Sequence, residues 1–245
     1  MIVCIADREK FIRCFLKPIG SFADIARITI GDSITTTVSN TDKTCILAAE
    51  YNTNTGEGTN DIAVRTRKLL SSFECVDEET ITVDVKDNTI KYKSSGMRFK
   101  LHTLDLSVVP KIGVNINSID DFEVAANFQL RQGEITKLIK SSSFVEANKV
   151  YLQQVEGRVF FTLTDEQLDN CDAFALRLDC PCESEFAASP INFEVVRQLA
   201  ALPIEEGKTF DIKLLWTPDK QHYIVAISIV ADKYSLKYIL TPYQK

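Results

Sequence analysis

A chain of 245 residues, 45% hydrophobic and 25% charged, has the composition of a folded globular protein and length for two ordinary domains. A formal charge of −6 excludes a surface that is basic throughout, and the longest strongly apolar run, Tyr223–Ala231, is too short to span a bilayer. Seven cysteines without regular spacing, and an N-terminus reaching Asp7 with no basic leader or cleavage signature, lead us to expect an intracellular protein whose cysteines are small buried hydrophobes.

In chain order, Ile2–Ala6 is predicted as a strand and Arg8–Lys17 as a helix stopped by Pro18 and Gly20. Short β-rich runs follow at Ala26–Ile30, Ser33–Val38 and Cys45–Tyr51, separated by Gly31-Asp32 and Asn40-Thr41-Asp42. Asn60-Asp61 reads as the start of a second helix through Phe73, whose stripe is Ile62, Thr66, Leu69, Leu70 and Phe73. Ile81, Val83 and Val85 alternate at period two, Lys86–Thr89 turns, Ile90–Tyr92 returns, and Met97–Leu101 is a further strand. Pro110–Phe122 has neither period and reads as an extended connector. The second half gives a helix at Gln132–Ser141, strands at Lys149–Gln153, Arg158–Thr164 and Ala173–Leu178, and a helix at Asn192–Leu202. Strands at Phe210–Trp216, Tyr223–Ile229 and Leu236–Leu240 complete it.

The two halves say nearly the same thing. Ser21-Phe22 answers to Ser143-Phe144, and Ile28 and Ile30 to Val150 and Leu152, at an offset of 122 residues. Ile62, Leu70, Val83 and Val85 answer to Ile191, Leu199, Ile212 and Leu214 at an offset of 129. A repeat this long is a domain, not a solenoid unit. The expected fold is α+β: an N-terminal domain over 1–109, a connector over 110–122 and a like domain over 123–245, each with two helices packed on antiparallel sheets.

The charge is not spread evenly over this plan. Opposite the apolar stripes lie Lys10, Arg13 and Lys17 on the first helix, and Arg67 and Lys68 with Arg65 on the flank of the second. Lys137 and Lys140 hold that place on the third and Arg197 on the fourth. On one helix this is ordinary solvation; on all four, in an acidic chain, it gathers positive charge on a helical surface.

Little points to catalysis. The only histidines, His102 and His222, stand in no triad or metal-ligand spacing, and nine glycines form no phosphate loop. Asp77-Glu78-Glu79 and Asp120-Asp121 read as solvated turns. Cys171, Cys180 and Cys182 lack zinc spacing and a fourth ligand. We therefore expect no enzyme, metal or cofactor.

The C-terminus, Leu236-Lys237-Tyr238-Ile239-Leu240-Thr241-Pro242, resembles the Leu-Lys-Tyr-Tyr-Leu-Ala-Pro close of the proliferating cell nuclear antigen family, the DNA sliding clamps. Leu101–Val109 looks like that family's run into its connector, and the two-fold plan with basic helix faces extends the resemblance over the chain. Ile239 and Thr241 depart from the pattern, His222 stands near where the family often has proline, and the first half lacks a long lysine-rich helix, as in a viral or diverged member.

The resemblance implies a ring of six like domains, hence a homotrimer, around double-stranded DNA without sequence readout. The nine cations named above would line the hole, and Phe99, Leu101 and Leu104 would meet Phe174, Leu176 and Leu178 of the next subunit. It further implies a pocket for aromatic peptide anchors of DNA polymerase, the clamp-loader ATPase and other replication and repair proteins. Ile112, Val114, Ile116 and Ile119 of the connector would form it with Ile239, Thr241 and Pro242 of the tail, and Thr41, Cys45 and Ala48 would be its wall. No membrane partner is expected, and the site of action would be the nucleus or another compartment of DNA replication. A monomeric processivity factor of the same fold and a subunit of a heterotrimer stay open.

Overall fold

The computed structural model describes residues 1–55, 58–112, 116–145, 149–164, 172–181, 189–205, 207–217 and 223–240. The chain divides into two units, Met1–Asn115 with Val230–Lys237, and Ile116–Ile229 with Tyr238–Lys245.

In the first unit β1 (Ile2–Ile5) leads into a helical stretch of three pieces: α1 (Arg8–Phe11), a π-helical segment Ile12–Leu16, and α2 (Lys17–Phe22). Asp7 starts it, its carboxylate accepting the Lys10 N–H at 2.8 Å. The stretch runs through Pro18 and Gly20 instead of stopping there. The wider π turn, with the Lys17 N–H bonded to the Ile12 carbonyl, ends before Pro18, which then sits in the first turn of α2, where its missing N–H costs nothing.

Then come β2 (Ile25–Ile30), β3 (Ser33–Ser39), β4 (Cys45–Asn52), β5 (Asn54–Thr55) and β6 (Asn60–Arg65). The chain closes this part with α3 (Thr66–Glu74), β7 (Ile81–Lys86), β8 (Thr89–Lys93) and β9 (Arg98–His102). One antiparallel sheet has the order β5-β1-β7-β8-β9; β4-β3-β2-β6 make another run. Asp87 and Asn88 both take positive φ, 51° and 56°, so the β7–β8 turn carries residues that tolerate the left-handed region. The expected helix start at Asn60-Asp61 is corrected: these residues and Ile62 belong to β6, paired along β2 with Ile62 opposite Ile28, and α3 begins only at Thr66. The β-branched and small residues Ile62, Ala63 and Val64 satisfy a strand as well as a helix, and the β2 edge decides. Phe11, Phe15, Tyr51 and Phe73 pack the interior, with ring centroids 5.0–5.6 Å from Phe11.

The second unit runs strand, helix, four strands, helix, three strands, the same order without a counterpart of the two-residue β5 among the described residues. It holds β10 (Val124–Arg131), α4 (Gln132–Val145), β11 (Lys149–Val155), β12 (Arg158–Leu163), β13 (Phe174–Pro181) and β14 (Ser189–Asn192). There follow α5 (Phe193–Ala201), β15 (Thr209–Trp216), β16 (Tyr223–Val230) and β17 (Tyr234–Leu240). One sheet runs β13-β12-β11-β14, and β10-β15-β16 are neighbours in another. The repeat pairs fall on matching elements: Ile28 and Val150 on β2 and β11, Ile62 and Ile191 on β6 and β14, Val83 and Ile212 on β7 and β15. The first half of β17 belongs to the first unit beside β4, where the Asn52 N–H donates to the Lys233 carbonyl at 2.8 Å.

Three readings change here. The connector is not extended throughout, since Ile116–Asp121 is a 3₁₀ turn that buries Ile119. α4 runs to Val145, beyond Ser141. β10 and β14 are strands that were not expected. No described helix is long and apolar enough to cross a membrane.

Candidate nucleic-acid interface and partner groove

Each unit packs two helical elements side by side, α1 and α2 with their π segment against α3, and α4 against α5. Their buried faces are apolar: Phe11, Ile12, Phe15 and Ile19; Leu69 and Phe73; Ile135 and Leu138; Val195, Val196 and Leu199. Hydrophobic burial therefore turns the basic faces outward. Arg13, Lys17, Arg65, Arg67, Lys68, Lys137, Lys140 and Arg197 are exposed, and Lys10 is half-buried.

These cations are not equivalent. Arg13 is paired with Glu9 at 3.5 Å, Lys17 with Glu74 at 3.3 Å, Arg67 with Asp24 at 3.7 Å and Arg197 with Glu194 at 3.5 Å. Arg197 also lies 4.9 Å over the Phe193 ring. Arg65, Lys68, Lys137 and Lys140 make no ion pair among the described residues. Exposed pairs are weak, so the paired cations can still turn to a phosphate, but each must first leave a carboxylate.

A groove of about 430 Å³ opens in the first unit between the end of α2, the β3–β4 loop and the chain at Val109, Pro110 and Ile112. Thr41 and Ile112, both expected at a partner pocket, lie in its wall. Arg67 lines it too, through its pair with Asp24. Asn40 shapes the loop, its side-chain carbonyl accepting the Cys45 N–H at 2.9 Å. Cys45 itself is wholly buried, and burial raises its thiol pKa well above the ordinary value. Ile119 and Ile239 are core side chains at 1% exposure, whereas Ala48 and Ile116 are half-buried outside the groove lining. Val114, Thr241 and Pro242 lie outside the described residues, as does His222.

The two strands expected at a subunit seam, β9 and β13, are each terminal in their sheets. On β9, Phe99 stacks on Tyr92 at 5.3 Å and Leu101 is half-buried. Leu104 lies past β9, and its N–H donates to the Ala63 carbonyl at 2.7 Å, so it bridges to β6. On β13, Phe174 and Leu176 are half-buried and Leu178 is buried. Beside β9, sequence reasoning missed a second cavity, of about 390 Å³, with Lys100 and His102 at its rim. Those residues alternate along the strand with Phe99 and Leu101, the only signal that could have flagged them. Among the described residues no cluster of three or more His, Cys, Asp or Glu could hold a metal. Cys171 and Cys182, and the side chain of Cys180, lie outside them.

No protein-family model matches the sequence, and no curated protein does. Solved structures match over the whole length. An A. fulgidus PCNA bound to the C-terminal region of FEN-1 superposes with TM-score 0.75 at 15% identity, covering 100% of this chain and 98% of that one. The PCNA2–PCNA3 complex of Sulfolobus tokodaii gives 0.74 at 11% identity, covering 99% of each chain. The DNA polymerase III subunit beta of Pseudomonas aeruginosa gives 0.70 at 18%, covering 100% of this chain and 66% of that one. The fold is that of the PCNA-like sliding clamps.

Proposed function

We propose that this protein is a sliding clamp, a non-enzymatic processivity factor that encircles duplex DNA as a homotrimeric ring and tethers a DNA polymerase where replication takes place. The carrying observation is that both repeats of the fold turn a basic helical face outward in a chain whose formal charge is −6. Cations at helix surfaces neutralise phosphates without reading bases, which holds the ring near the duplex yet lets it move. Acidic charge elsewhere discourages binding to the outside. The two terminal strands, β9 and β13, offer complementary edges, and a head-to-tail contact between copies closes a ring when the rotation allows it. The groove at Thr41 and Ile112 is where a short peptide from a polymerase, a clamp loader or another replication protein would seat; the similar A. fulgidus PCNA is bound to the C-terminal region of FEN-1.

A mixed ring is the second reading, favoured by the equally close likeness to a PCNA2–PCNA3 complex. Retention on DNA tests the function itself. Loaded onto a closed circle, the protein should stay for many times longer than on a linear duplex of equal length with open ends. Equal lifetimes on the two would remove the topological mechanism. Light scattering of the chain alone distinguishes the assemblies: three copies support the homotrimer, and a single copy that assembles only with a second protein supports the mixed ring.

A further inference from the structure

We infer that Phe144 is an anchor by which one copy docks on the next, its ring entering the cavity beside β9 of the second copy. The inference rests on the ring proposed above and adds the residue that holds the seam. Phe144 lies in the last turn of α4 and is 59% exposed, the one aromatic side chain among the exposed large hydrophobics of the described residues. Its partner in the internal repeat, Phe22 at the end of α2, is 7% exposed. Two copies of one structural plan thus treat the same position in opposite ways, and the second unit keeps an aromatic ring in water.

The ring is not loose. It meets Phe174 edge-on, with centroids 6.2 Å apart and planes at 85°. Phe174 opens β13, the terminal strand of its sheet, so the two rings form a knob against an edge that no described strand pairs. The other unit offers a receptor of matching chemistry beside its own terminal strand. There the cavity of about 390 Å³ has Leu69, Leu101 and Leu104 among its apolar walls. Arg65, Lys68, Lys100 and His102 stand around them, and among the described residues no carboxylate lines the cavity. Apolar walls accept a ring, and surrounding cations suit its face. Pairing β13 with β9 of a second copy would bring the knob and the cavity to the same seam, and it covers both of those terminal edges. Nucleic acid is the competing occupant, because the same cations attract phosphate.

The test is molar mass by light scattering of the full chain and of Phe144→Asp and Phe144→Leu. The side chain is largely exposed, so losing its contact with Phe174 should lower the thermal melt by a few degrees at most and both variants stay folded. Phe144→Asp is expected to reduce the mass from three copies to one, and Phe144→Leu to keep part of the assembly. Leu101→Asp, which spoils the cavity and leaves the knob, should also give single chains. Mixed with Phe144→Asp it should give a two-chain species, because that mixture contains one intact seam. If the parent forms three copies and Phe144→Asp does too, the anchor is overturned and the ring stands. A parent that is a single chain overturns both the anchor and the homotrimer. A variant that keeps its mass but is lost from DNA places the aromatic pair against nucleic acid and also overturns the seam.

Discussion

Asp61 shows how one side chain can serve a role its neighbours in sequence conceal. Its place before an apolar run reads as a helix cap, but it lies on β6 opposite Thr29 of β2. The Arg27 guanidinium donates to it, as does the Thr29 hydroxyl, and these bonds hold its carboxyl below the usual carboxylate range. Between the folded and unfolded values the unfolded chain binds more protons, so stability there rises with pH. The contribution is complete above the ordinary aspartate range and is lost as pH falls through the depressed folded value. With side chains 57% and 29% exposed, the pair is screened and its effect small. Asp61→Asn should lower Tm at neutral pH by a few degrees at most, and that difference should shrink on acidification. A difference that holds constant to low pH would mean the carboxylate is not its source. The cap reading failed because Asp before Ile-Ala-Val fits a helix start locally, and the opposing strand lies far back in the chain.

Among the elements, the first helical stretch carries its weakest residue in its interior. Gly20 lies in α2, and a methyl group built there would meet only Leu70 Cδ2, at 3.9 Å, an ordinary contact. Gly20→Ala should therefore stabilise the fold by about 0.5–1 kcal/mol, since alanine loses less backbone freedom on entering a helix. Thermal melting should register it as a rise of about 1–4 °C. A fall would show that α2 and α3 need the glycine to approach closely. Strands whose faces differ were legible: Ile81, Val83 and Val85 are buried on β7 and the residues between them exposed, as their alternation predicts. β10 obeys the same rule, with Ala126, Phe128 and Leu130 buried, but follows the connector without a turn signal to announce it. β14 was hidden by Pro190, which a terminal strand tolerates because its N–H need not join a ladder. β6 was misread because its apolar residues continue the stripe of α3. What periodicity could not supply in each case was the neighbouring strand.

For the whole molecule, the internal repeat and the basic helix faces were legible because both follow from spacing within single elements. The ion pairs were legible only in part: Glu9 and Glu194 stand one turn from Arg13 and Arg197, whereas the Glu74 and Asp24 partners of Lys17 and Arg67 arrive through tertiary packing. That difference sorts the cations by what they can give to DNA. Among the described residues Lys137 and Lys140 have no carboxylate to leave, so meeting a phosphate releases counterions with little offset. Arg13 and Arg197 must give up Glu9 and Glu194 first, and each freed carboxylate then repels the backbone. Replacing Lys137 and Lys140 by alanine should weaken DNA binding and flatten the dependence of log affinity on log salt by up to about one unit per lost contact. Replacing Arg13 and Arg197, the same formal charge, should do so less. Neither change should alter sequence preference, because neither pair is asked to read a base edge. Salt titrations of the two double variants on one duplex decide the matter. An equal or larger loss of slope from the arginine pair would show that the ion pairs open freely and that position alone, not pairing, sets which cations hold the DNA.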